Sequence, residues 1–149
     1  MPEISFKVIL PRAKPLTPFK LENVKTEFRN FGTDAIKQLQ SYPPKPPQSR
    51  YKRTYKLRRH WRRGPLRMEG GDLVMRIDND VVDEYGRPYA VWVQGRRRAA
   101  GPKQRALFAR YGWLSVTDIN QTVWPRYRNR ILRAMRLKVG VRGVAVRGI

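Results

Sequence analysis

His60 is the single histidine of this 149-residue chain, and cysteine is absent. Ser–His–Asp and Cys–His nucleophile systems have one imidazole to draw on, and thiolate or multi-histidine metal centres lack their ligands. On an alternating stretch such as Arg58-Arg59-His60-Trp61, a lone histidine reads as structural or exposed. Carboxylates are the other acid–base groups, and six of the eleven (Glu69, Asp72, Asp78, Asp80, Asp83, Glu84) fall within one short segment. That segment lacks the central glycine and ligand order of a calcium-binding hand, so it reads as a loop that balances local charge. Neither Gly70-Gly71 nor Gly140 to Gly143 has the spacing and following Lys-Ser/Thr of a phosphate-cradling loop. The chain reads as a non-enzyme with no cofactor and no metal, and the question becomes what its surface touches.

That surface is cationic, with a formal net charge of +22. Such a charge favours a polyanion, an acidic protein surface or a membrane face. From Arg50 to Arg67 there are nine basic residues and no acidic one, interleaved with Tyr51, Tyr55 and Trp61. Cations for phosphates and flat rings for bases are the composition of a nucleic-acid surface, although a solvated strand face or a protein interface uses the same residues. A second basic cluster, Arg96-Arg97-Arg98, opens a turn-rich loop. The candidate interface or DNA-facing residues are Arg53, Arg58, Arg59, Arg62, Arg63, Trp92, Arg96, Arg97 and Arg98. Tyr89, Trp92 and Trp113 read as structural or interface aromatics rather than base-stacking platforms, Trp92 because it lies on the opposite strand face from Val91 and Val93.

The elements that position these residues follow from periodicity. Ile4 to Leu10 predicts a short strand ended by Pro11, within an N-terminal strand or arm over 1–16. Thr17-Pro18 predicts a helix start, with Thr17 as cap and Pro18 in the first turn. Leu21, Val24, Phe28, Phe31, Ala35 and Leu39 then trace one apolar stripe, Ile36 joining the core beside it. Gly32 interrupts the stripe at a cost of about 1 kcal/mol relative to alanine, which allows a kink. The prolines between Tyr42 and Pro47 stop the helix and form a stiff spacer. Arg50–Trp61 and Asp72–Asp78, the latter bounded by Gly70-Gly71 and Asn79-Asp80, read as the strands of a β-hairpin, with Leu57, Leu73, Met75 and Ile77 facing the helix. Gln104 to Tyr111 is helix-compatible, and a C-terminal helix starts near Trp124-Pro125, with Tyr127, Ile131 and Ala134 on its inner face. The glycine-dotted stretch over 139–149 reads as a basic extension, either pairing as a strand or remaining a tail. The fold class is α+β, one domain over 1–149: a long N-terminal helix on a small, mainly antiparallel sheet, with a C-terminal helix and basic tail. No apolar run reaches the roughly 20 residues of a membrane span, and the N-terminus does not read as a signal peptide, so a soluble, intracellularly made protein is expected.

The central stretch resembles a family of small tailed-phage proteins, the tail-component or tail-completion proteins of the neck region. Many members carry Arg-Thr-Gly-x-Leu-x-x-Ser after a proline-bearing loop, here Arg53-Thr54-Tyr55-Lys56-Leu57-Arg58-Arg59-His60. A later element running from Tyr-Ala through Val-(Glu/Gln) to a glycine is here Tyr89-Ala90-Val91-Trp92-Val93-Gln94-Gly95, and Gln104, Phe108, Gly112 and Trp113 match a further subgroup pattern. Tyr55 stands where glycine is usual and His60 where serine is usual. The resemblance spans residues 20–115 and implies a virion protein, made in the host cytoplasm, that forms a homo-oligomeric ring, a hexamer or dodecamer, at the head–tail junction or tail terminus. Its implied neighbours are connector, portal-adaptor or tail-tube proteins and packaged DNA, with no membrane contact. The alternatives are a basic nucleic-acid-binding module and a capsid-decorating protein.

Overall fold

A computed structural model describes residues 3–41, 44, 47, 56–82, 84–87, 114, 116–136 and 144–147. Its sheet contains β1 (Glu3–Val8), β2 (Trp61–Arg63), β3 (Arg67–Glu69), β4 (Asp72–Asn79) and β5 (Val144–Arg147). β1 and β4 are the central antiparallel pair, in register from Glu3 opposite Asp78 to Val8 opposite Leu73. β5 covers the far side of β1, while β2 and β3 share the other side of β4. These two short strands are halves of one strand. Arg63 pairs with Ile77 and Arg67 with Val74, so one residue more lies on their side than on β4. The surplus is a bulge at Gly64-Pro65-Leu66, where Gly64 N–H still donates to Arg76 O at 2.8 Å and Pro65 has no N–H to give. Gly70 and Gly71 close the β3–β4 hairpin with φ of 57° and 81°, the positive values a type I′ turn requires.

The expected first hairpin strand, Arg50–Trp61, needs correction. Residues 50–55 lie outside the described residues, and Lys56–Arg59 is a single helical turn, α2, with the strand beginning only at Trp61. Leu57 and Trp61 are both buried, four residues apart, a spacing that a strand face and a helix face share. Asn79, expected beside the hairpin as a boundary residue, ends β4 fully buried and holds this turn: its Nδ2 donates to Leu57 O at 2.8 Å, while its Oδ1 accepts Val81 N–H at 3.1 Å.

Helix α1 (Pro18–Leu39) begins as its sequence predicts, Thr17 accepting from Lys20 N–H and Pro18 in the first turn. It runs through Gly32 unbroken, and the glycine is there for contact rather than for a kink. A Cβ at position 32 would sit 2.5 Å from Met75 Sδ and 2.8 Å from Arg63 Cδ. On the C-terminal side, α3 (Val116–Thr122) and α4 (Trp124–Met135) are separated at Val123. Pro125 lacks the N–H that would continue one helix into the other.

The core lies between α1, α3 and α4 on one side and the inner faces of β1 and β4 on the other, with Phe6, Val8, Leu73, Met75 and Ile77 meeting Val24, Phe28, Phe31, Ala35 and Leu39. Leu21 and Ile36 flank it half-buried. Phe31 is the hub, its ring centroid 4.7 Å from Phe6, 4.9 Å from Trp124 and 5.9 Å from Tyr127, all edge-on. Edge-to-face pairs add about 0.5–1.5 kcal/mol each beyond burial, so this one side chain sets how sheet, α1 and α4 meet. Tyr127 is pinned further by its hydroxyl, which donates to Asp34 on α1. Burial first, and that carboxylate second, push the phenol pKa up. The stretch expected as a basic extension contributes Val144–Arg147 to the sheet, paired with β1 of the same chain. Among the described residues no helix is long and apolar enough to cross a membrane.

Candidate functional site

Arg58 and Arg59 lie exposed on α2, and Arg62 lies exposed on β2, where it pairs with Asp78 on the sheet face away from the helices. Between them His60 Nδ1 is 2.6 Å from Asp80 Oδ1, and Arg62 Nη2 is 3.8 Å from Asp80 Oδ2. The His60 hydrogen bond holds the Asp80 carboxyl below its ordinary value against a smaller desolvation, and the Arg62 charge adds to it. The corner is a cationic rim with one carboxylate at its centre.

Arg63 goes elsewhere. One step along β2 it turns to the helix side, and Nη1 donates to Arg29 O at 2.9 Å and Thr33 Oγ1 at 3.2 Å. Its guanidinium fastens β2 to α1 across the cleft above Gly32. Arg53, Trp92, Arg96, Arg97 and Arg98 lie outside the described residues, as do Tyr89 and Trp113. The structure therefore brings Arg58, Arg59 and Arg62 together and separates Arg63 from them.

The helix-free face of the sheet is paired rather than purely basic. Asp72, 3% exposed, accepts Leu10 N–H at 3.2 Å, Arg12 Nη2 at 3.0 Å and Lys7 Nζ at 2.9 Å. Arg76 reaches Glu69 at 3.3 Å along the same face. Three acids of the 69–84 segment, Glu69, Asp72 and Asp80, thus balance nearby cations, in keeping with the reading of that segment as a charge-balancing one.

A second basic surface lies on α4. Tyr127, Ile131, Leu132 and Met135 face inward while Arg126, Arg128, Arg130 and Arg133 are exposed. The candidate set omits these arginines, although the spacing of Arg126, Arg130 and Arg133 on one helical face was there to be read. Both surfaces carry exposed guanidinium groups, the chemistry that attracts anions. Compared with protein-family models, with curated proteins and with solved structures, the chain gives no match.

Proposed function

We propose that the protein is a structural subunit of a tailed-phage virion, assembling with copies of itself into a ring at the head–tail junction or the tail terminus. One observation carries the reading: the helices cover one face of the sheet, leaving the other face ion-paired and two edges that bear no further strand among the described residues. A bare edge offers unpaired backbone groups to a neighbouring copy, and alternating charge on the open face offers it complementary contacts. The resemblance of residues 53–60 and 89–95 to neck proteins points to the same assembly. The ring is a hexamer or dodecamer, next to connector or tail-tube proteins and close to packaged DNA.

Self-repulsion provides the test. At +22 per subunit, ring closure is opposed at low salt, where charge reaches about 30 Å at ~0.01 M, and favoured where it is screened beyond about 8 Å at ~0.15 M. Sedimentation velocity from low to moderate salt, with negative-stain imaging, is expected to show a discrete closed oligomer that grows with salt. A monomer at every salt concentration overturns the reading. The arginine face of α4 favours a second reading, a monomeric nucleic-acid-binding module, which predicts tight duplex binding that weakens steeply with salt.

A further inference from the structure

We infer that the solvent-facing stripe of α4, Arg126, Arg130 and Arg133, is a binding surface for the phosphate backbone of duplex DNA. The inference deepens the ring reading by naming the subunit's DNA-facing surface, and rests on it only for its biological setting. At 1.5 Å per residue these guanidinium-bearing positions span about 10 Å along the helix, room for about three phosphates at 3.4 Å of axis per strand. The helix-ending Arg136 flanks the stripe, and no acidic residue follows Asp118 in the chain. Among the described residues neither Arg126 nor Arg133 has an ion-pair partner, whereas Arg62 faces Asp80 and Arg76 faces Glu69.

Arg130 is pre-positioned. Its guanidinium stacks 5.2 Å from the Tyr127 ring centroid and lies 3.9 Å from Glu27 Oε2, and Tyr127 is itself tied to Asp34. Among the described residues Glu27 is the single carboxylate lining the groove between α1 and α4, with Asn23, Thr26, Arg130, Arg133 and Ala134 around it. Its Oε2 is buried and accepts no hydrogen bond, so it attracts Arg130 through charge alone, at 3.9 Å, while Arg126 and Arg133 stay unpaired among the described residues. The cations of the stripe are all arginines, whose planar fork matches phosphate oxygens. The stripe carries no aromatic or aliphatic anchor, the feature a protein interface centres on, so duplex backbone fits better than an acidic protein. Contacts to the phosphate backbone carry no sequence information, so binding through them is independent of sequence.

The experiment measures fluorescence anisotropy of two unrelated 30-base-pair duplexes titrated with full-length protein over a range of salt. The variant is Arg126→Gln/Arg130→Gln/Arg133→Gln. Its control is Lys14→Gln/Lys37→Gln/Arg67→Gln, which removes equal charge from exposed positions elsewhere. The stripe variant is expected to lose at least about tenfold in affinity for both duplexes, with the log–log salt slope shallower by about 2.7, while the control changes by less than about threefold. The milder Arg126→Gln/Arg133→Gln, which leaves the Arg130 ion pair and ring stacking in place, is expected to give about two-thirds of the slope change, keeping the test decisive if loss of Arg130 unfolds the helix. Equal losses in stripe and control variants overturn the inference. So does a loss that falls instead on Arg58→Gln/Arg59→Gln/Arg62→Gln, or polyglutamate competing as well as duplex of equal charge. Sedimentation in parallel separates the two claims: a monomeric wild type with a stripe-specific loss refutes the ring and leaves the DNA surface standing.

Discussion

Asp72 shows how one side chain in this chain is forced into its role. Burial alone would push its carboxyl pKa up, but the Lys7 hydrogen bond, the Leu10 amide and the Arg12 charge outweigh burial and hold it below the ordinary value. A carboxyl depressed in the folded state contributes stability that is fully present above the unfolded value near 3.9 and is lost as pH falls through the folded one. Asp72→Asn is therefore expected to cost about 1–3 kcal/mol at pH 7, because an amide turns a donor toward cations and leaves the Leu10 and Arg12 donors poorly matched. Urea unfolding of wild type and variant at pH 7 and pH 3 checks the sign: the gap should narrow at the lower pH. A gap that widens there would show that the carboxylate is not what the site uses. Nothing in the sequence around Gly71-Asp72-Leu73 announces this, since Lys7 and Arg12 are about 60 residues away and only the β1–β4 register brings them over it.

At the scale of elements, legibility followed period length. The α1 stripe repeats over about five turns, and its Val24, Phe28, Phe31, Ala35 and Leu39 are buried, with Gly32 beside them. The segment 56–61 offers two apolar residues, too few to tell period two from 3.6, and the helical turn there is decided by Asn79 from another strand. Gly32 was legible as a propensity defect and illegible as a contact. Replacing it by alanine gains about 1 kcal/mol of helix propensity, while crowding Met75 and Arg63 costs about 1–3 kcal/mol. The expected result for Gly32→Ala is a net loss of stability by chemical denaturation, relieved in part when Met75→Val is combined with it. A stabilised single variant would mean that Met75 and Arg63 shift without strain. The α4 arginines were visible as a pattern but not as a site, because whether carboxylates oppose them depends on which face of α1 they meet.

For the whole molecule, the division between a helical side and an open sheet face organises both charge and edges. The β5 strand protects one side of β1, a strand whose inner residues Phe6 and Val8 are fully buried. Deleting residues 137–149 is expected to bare that row of backbone groups and produce dimers or larger aggregates through β1 pairing, seen by size-exclusion chromatography and light scattering. A monodisperse product with the wild-type melting temperature would show that β5 protects nothing. The same deletion leaves α4 and its arginines in place, so duplex binding should survive where monomer is recovered.

The position of β1 between β4 and β5 also has a consequence in time. It is made before the other described strands, yet β4 follows it by 64 residues and β5 by 136. At about 5–20 residues per second of synthesis, β1 waits roughly 3–13 s for its first neighbour and up to about half a minute for its second. Until β4 is made, α1, whose apolar stripe is complete by Leu39, is the only long partner among the described residues available to Phe6 and Val8. The nascent chain thus holds its first strand against a helix before it has a sheet, and a ribosome that stalls after α4 releases a subunit with one side of β1 still open.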